Sequence, residues 1–208
     1  MTKRTVLTSA IALTAVALMS VFAIASTSQE SESIGNPDGF AMTDRVGPDQ
    51  QGIGVLRRAA GPADRLPSGL VAKIDRFVPG GANAALGRSV PLGKDHLYVV
   101  PGADDLVCLF DASGAGGCSH ADAIADGNFV VQYPCHSPGM QRIVGVVPDG
   151  ASEASVRFAD GQAKDITVTD NVLLVDAPLD GNVVTTITAG KTVLDVPVLP
   201  RDDRIRDC

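Results

Sequence analysis

The chain has 208 residues, 45% hydrophobic, 20% charged and 4% aromatic, with 22 Gly, 13 Pro, 4 Cys, 3 His and no Trp. That length fits one ordinary domain with appendages, or two small ones, and the composition excludes a disordered tail, a collagen-like repeat and a heptad rod. A formal charge of -7 lacks the cationic footprint of a sequence-independent nucleic-acid binder, and so few aromatics make a poor base-stacking platform.

Lys3 and Arg4 precede a stretch with no further charge until Glu30. Its strongly apolar part, Val6 to Ala25, spans roughly 30 Å as a helix, the thickness of a bilayer core. Positive charge before an apolar segment predicts an export signal with Lys3 and Arg4 on the cytoplasmic side. Ala23 and Ala25 before Ser26 form a small-x-small cleavage site. The apolar segment is also long enough to stay as an uncleaved anchor, so residues 1–25 are a signal peptide or a membrane anchor. Both alternatives place the rest of the chain outside the cytoplasm, secreted or held at the membrane by its N-terminal segment. Beyond Arg4 the chain carries 15 basic and 24 acidic groups, which disfavours anionic lipid headgroups.

Residues 26–50 are polar, without an apolar period, and predict a flexible tether. Residues 51–92 predict a helical and irregular part. A short amphipathic helix is expected over Asp49 to Ala60, weakened by Gly52 and Gly54. A better helix follows, with Ser68 as its N-cap and Leu70, Val71, Ile74 and Phe77 at helical spacing. Residues 93–200 predict a β-rich domain. Strands are expected at Leu97 to Val100, Leu106 to Phe110, Phe129 to Tyr133 and Ile143 to Val147. A helical turn or two is expected over Ser119 to Ala125, with Ser119 as its N-cap. Asp160-Gly161 supplies a hairpin turn after Val156-Arg157-Phe158, with Ile166 and Val168 in the return strand. Asp170-Asn171, Asp180-Gly181 and Ala189-Gly190 predict further turns, each followed by a β-branched run. The expected fold is mostly β: a small antiparallel β-sandwich or open barrel with one or two short N-terminal helices. Residues 201–208 form a polar tail.

Outside the cytoplasm an even cysteine number predicts disulfides. Four cysteines allow three connectivities. The Gly-rich loop after Cys108 folds back easily, which favours Cys108 with Cys118 and leaves Cys135 with Cys208 by elimination. Cys135-His136 is a poor nucleophile–base pair, because neighbours on a strand point to opposite faces. His96, His120 and His136 lie in no known zinc spacing, no Gly-x-Ser-x-Gly elbow is present, and Gly80 to Gly87 lacks a dinucleotide fingerprint. Asp104-Asp105 fits a turn better than a calcium loop. No catalytic residue, metal or other cofactor is implied.

An ordered series of phrases carries a resemblance. It runs Leu56-Arg57-Arg58, Ala63-Asp64-Arg65-Leu66-Pro67, Leu97 to Gly102, Leu106-Val107-Cys108-Leu109, Gly116-Gly117-Cys118, Val144 to Gly150, Asp160-Gly161 and Asp170-Asn171-Val172. The series resembles a group of exported proteins from actinobacteria and covers roughly residues 52–175. The resemblance implies export and a recurring Cys108 and Cys118, and it implies no activity. Cys135 and Cys208 are not part of it. Two functions follow from the sequence. One is a non-catalytic surface domain that binds or scaffolds an unidentified protein or cell-envelope partner, with a groove or apolar patch on a sheet face or edge. The other is a hydrolase, with one of the three histidines in reach of both a carboxylate and a nucleophile.

Overall fold

The computed structural model describes residues 45–78, 81–179 and 181–197. The chain divides into Met1–Pro37 and Asp38–Cys208, and every described residue belongs to the second unit. The export segment with Ala23, Ala25 and Ser26, the tether up to residue 44, the tail 201–208 and Cys208 lie outside the described residues. Among the described residues no helix is long and apolar enough to cross a membrane.

The folded body reaches back to the segment that composition assigns to the tether. Gln50 is buried, and its Nε2 donates to the carbonyls of Gly102 (2.8 Å) and Leu106 (2.7 Å). The expected helix over Asp49 to Ala60 forms as two pieces. A 3-10 turn at Gln50–Gly52 gives way to extended Ile53, and α1 follows over Gly54–Arg57. Gly52 and Gly54 lower helix propensity across this break. The two leading amides of α1 are satisfied from far along the chain, Gly54 N–H by Asp149 Oδ1 (2.6 Å) and Val55 N–H by Asn171 Oδ1 (2.9 Å).

Helix α2 spans Ser68–Phe77. Its N-cap is Pro67, with no side-chain cap bond, so Ser68 is the first helical residue and not the expected cap. Leu70 and Ile74 are buried as the spacing predicts, but Phe77 is 67% exposed. The helix ends there, and buried Val78 takes the place at the core that Phe77 was expected to fill.

The first sheet is an antiparallel meander of β1 (Arg88–Leu92), β2 (Asp95–Pro101), β3 (Leu106–Asp111) and β4 (Gly116–His120), in that order. Strands β1 and β4 fall where irregular structure and a loop were expected. Pro91 is tolerated because β1 is an edge strand. The β2–β3 turn places Asp104 and Asp105 at φ 50 and 57, the left-handed pair that a two-residue hairpin turn requires. Ser119 belongs to β4, and α3 (Ala121–Ala125) is capped at His120 instead.

The central sheet has the order β5 (Val130–Ser137), β6 (Met140–Val146), β9 (Val172–Pro178), and the third sheet is β11 (Thr192–Asp195), β10 (Val184–Ala189), β7 (Glu153–Phe158), β8 (Ala163–Thr167). All pairings are antiparallel and no sheet closes into a barrel. The Asp170-Asn171 turn is the expected left-handed pair, with φ 47 and 65. At the Asp160-Gly161 turn only Gly161 is left-handed, and Phe158 N–H bonds to Gln162 carbonyl, which makes a three-residue loop.

The layers explain the composition of the strands. Leu70 and Ile74 of α2 pack on Tyr98, Val100, Cys108 and Phe110, one face of the first sheet. The other face, with Leu97, Val99, Val107 and Leu109, packs on Val144, Val146 and Val172 of the central sheet. The reverse side of that sheet, with Ile143, Leu173 and Val175, packs on Val156, Val184, Ile187 and Leu194 of the third. Strands β2, β3 and β6 are therefore buried on both faces, which is why they are apolar runs and not alternating ones. Each Val, Leu or Ile so buried contributes roughly 1.5–3 kcal/mol.

Candidate binding groove

Cys108 and Cys118 are opposite residues in the β3–β4 register, and they form a disulfide. Cys108 is buried under α2 while Cys118 is exposed on the outer strand. The loop between them is an ordered hairpin. Asp111 N–H bonds to Ala115 carbonyl (2.9 Å), the Asp111 carboxylate accepts from Ser113 Oγ (2.6 Å) and Ala115 N–H (3.0 Å), and Gly114 sits at φ 86. Lys73 of α2 donates to Ser113 carbonyl and ties the hairpin tip to the helix.

This hairpin floors a groove of about 780 Å³. One wall is Phe77, Val78 and Phe110, and the other is Val131, Gln132 and Tyr133 of β5. The Phe110 ring lies against Gly116, where a Cβ would come within 2.6 Å of the ring and overlap the Leu109 carbonyl. On the inner side, Gly117 leaves room for Val131. The two glycines thus let layers on both sides approach the backbone of β4. Tyr133 Oη donates to Ala115 carbonyl (3.2 Å) and closes one end. Burial pushes the Tyr133 phenol well above its usual pKa, Asp111 adds to this and Arg142 opposes it, so the hydroxyl is a fixed donor at any ordinary pH.

Strands β4 and β5 each end their sheet. The bond from Asp111 to Ala115 sets the antiparallel alternation, in which residues 117 and 119 bond to β3 and residues 116, 118 and 120 aim N–H and C=O outward. Among the described residues no strand pairs with that outer edge. Phe77, with the Arg76 guanidinium 5.4 Å from its ring centre, stands over the same groove.

The histidines are scattered. His96 Nδ1 lies 3.1 Å from Ser89 Oγ, but Ser89 is buried and no carboxylate touches His96 among the described residues. His120 Nδ1 meets the Asp104 carbonyl (3.0 Å), and His136 lies in β5. No histidine in the described residues meets both a carboxylate and a nucleophile, and no group of three or more His, Cys, Asp or Glu there could hold a metal. Cys135 is placed in β5, and its proposed partner Cys208 lies outside the described residues.

The perturbed carboxylates are structural. Hydrogen bonds from Arg58 hold Asp64 far below the usual carboxylate range against burial, with help from the Gly61 and Ser89 amides. Burial raises Asp149, but bonds from Asn171, Arg57 and Gly54 N–H outweigh it and the net shift is downward. These contacts fasten the N-terminal segment to β1 and to the turn before β9. Asp105 is shifted up, first by burial and then by neighbouring Asp49 and Asp104, with His120 opposing.

Sequence reasoning missed the groove because neither β4 nor the exposure of Phe77 was expected. One signal was present. Cys108 and Cys118 are equidistant from Ser113, which is the register of a hairpin centred on that residue. Comparison with protein-family models, with curated proteins and with solved structures finds no match for the chain. The fold and the groove define a disulfide-stabilised, layered antiparallel β-domain with a groove along β4, an edge strand among the described residues.

Proposed function

We propose that this chain is an exported β-domain without catalytic activity, which binds an extended segment of a cell-envelope protein along the β4 edge. One observation carries the reading: Phe77, 67% exposed, stands over a groove whose floor is a strand edge that no other strand among the described residues pairs with. An incoming extended segment would complete the ladder at residues 116, 118 and 120 and place alternate side chains against Phe77 and Tyr133. The Cys108–Cys118 bond fixes the register of that edge before a partner arrives, which lowers the ordering cost of binding. Export is supported by the charged and apolar N-terminal segment and by the disulfide itself, since such bonds persist in oxidising compartments.

The test uses the full chain in the cells that make it, with a photo-crosslinking residue at position 77 or, as a control, at the exposed position of Val193. The expected result is a discrete protein adduct from position 77, absent from position 193 and lost when Gln132→Lys narrows the opposite wall. Equal adducts from both positions, or none from 77, would overturn the groove. Trapping Cys108 and Cys118 in those cells as alkylatable thiols would overturn export.

A further inference from the structure

The two ends of the β4 edge carry opposite charge. Where β4 begins, Lys73 of α2 lies against Gly114 and donates to Ser113 carbonyl, and Arg76 stacks on Phe77. Of the acids nearby, Asp111 is engaged within its own hairpin, and Asp75 lines a separate hollow with Val71 and Ala72. Where β4 ends, His120 Nδ1 meets the Asp104 carbonyl, Ala121 N–H donates to the Asp105 carbonyl at 3.0 Å, and Asp122 follows in the first turn of α3. Lys73, Arg76, Asp104 and Asp122 are exposed, and none of them forms an ion pair among the described residues. From Gly116 to His120 the strand rises roughly 13 Å. That exceeds the Debye length at physiological salt, about 8 Å, so each end acts on its own stretch of a chain laid along the edge. With 24 acidic against 17 basic groups in the whole chain, the cationic end is a local exception.

We propose that the segment accepted at this edge runs antiparallel to β4, with a basic residue near its start, an acidic residue about four positions later and apolar side chains between them. The inference rests on the reading of the groove as a strand-addition site and names the chemistry of its occupant. Residues 116, 118 and 120 turn their N–H and C=O outward. An antiparallel neighbour meets each with a pair of perpendicular hydrogen bonds, whereas parallel pairing is slanted and less stable per residue. Running that way, the start of the segment lies beside Asp104 and Asp122 and its end beside Lys73 and Arg76. A side chain opposite Cys118 projects to the face that Cys108 and Phe110 share, the side on which Phe77 stands. An apolar residue suits that position. The reverse order would set a basic residue against Lys73 and an acidic one against Asp104, so like charges meet at both ends and such segments are disfavoured.

The test is selection of phage-displayed random peptides, about twelve residues long, on the purified full chain, with Phe77→Ser as the counter-screen. Phe77 is exposed, so its replacement leaves the core intact. Peptides kept by the parent chain and lost on Phe77→Ser are expected to carry Lys or Arg before an apolar stretch and Asp or Glu after it. Exchanging the two charged residues in one such peptide is expected to weaken its binding about tenfold at low salt. The difference should shrink to about twofold in roughly 1 M sodium chloride, and to about threefold in Arg76→Glu at low salt. Equal affinities, or a preference that neither salt nor Arg76→Glu alters, would overturn the charge order and leave the groove standing. An empty selection, or one that does not distinguish Phe77→Ser, would overturn the groove reading itself. A dimer detected by light scattering and dissolved by Phe77→Ser would assign the edge to a second copy of the chain and overturn the proposal.

Discussion

Arg142 on β6 and Asp176 on β9 are register partners joined by two parallel hydrogen bonds, Nε to Oδ1 at 2.7 Å and Nη2 to Oδ2 at 2.9 Å. The remaining nitrogen, Nη1, reaches Asp95 Oδ2 on β2 at 2.7 Å. One guanidinium with a 9% exposed side chain therefore binds the central sheet to the first. Arg142→Ala leaves two carboxylates facing each other, and it is expected to cost about 2 kcal/mol, below the range for fully buried pairs because both acids are partly solvated. Arg142→Lys is expected to recover less than half, because an ammonium cannot make the fork. Urea unfolding of the three proteins checks both values.

The downward shift of Asp64 has a defined sign in acid. A carboxylate whose folded pKa lies below its unfolded value contributes stability that is complete above the unfolded value, near pH 4, and is lost as pH falls toward the folded one. Asp176, shifted down chiefly by Arg142, acts in the same direction. Thermal melts are expected to fall steadily below about pH 4. Asp64→Asn should cost about 2 kcal/mol at pH 7 and give a shallower decline between pH 4 and 2. A parallel decline in the two proteins would contradict the assignment.

Asp105 has the opposite sign. Its raised pKa means that the native state favours its protonated form, so stability is gained on protonation and lost as pH rises through the folded value. Asp105→Asn removes the repulsion with Asp49 and keeps a residue suited to φ 57. After allowance for solvent screening, a gain of roughly 0.5 kcal/mol is expected at pH 7, vanishing near pH 3. Melting curves at the two pH values decide it.

Adjacent glycines in β4 should behave differently. A Cβ at Gly116 overlaps the Leu109 carbonyl, and backbone cannot move aside, so Gly116→Ala is expected to destabilise by at least about 2 kcal/mol. A Cβ at Gly117 meets Val131 Cγ2 at 3.4 Å, an ordinary contact, so Gly117→Ala is expected within about 0.5 kcal/mol of the parent. Denaturant midpoints of the pair test the packing that shapes the groove floor.

Reducing Cys108–Cys118 reopens an 11-residue loop and is expected to cost about 2.8 kcal/mol on the chain-entropy account. The double variant Cys108→Ala/Cys118→Ala should melt lower by a similar free energy and be insensitive to reductant at these positions.

Much of the fold was legible where the signal is local. The left-handed pairs Asp104-Asp105 and Asp170-Asn171, Gly161 and Gly190, and the apolar runs 97–100 and 143–147 each carry their own conformational preference. Strand β1 was legible too, since Gly93-Lys94 between Leu92 and Asp95 is a two-residue hairpin signal, but Pro91 masked it. Strand β4 was not. Gly-Gly-Cys-Ser-His has no strand propensity, and it is a strand because β3 and the disulfide hold it in register.

The sequence by itself determined the β-rich class and several of the turns and favoured the pairing of Cys108 with Cys118, because turn geometry and short loop closure depend on neighbours along the chain. Only the tertiary structure decided that Arg142 reaches Asp95, that Phe77 is exposed while Val78 is buried, and that β4 and β5, each at the end of its sheet among the described residues, line a common groove. Those relationships arise from the stacking of layers, which joins residues tens of positions apart through shape and burial that no local pattern encodes.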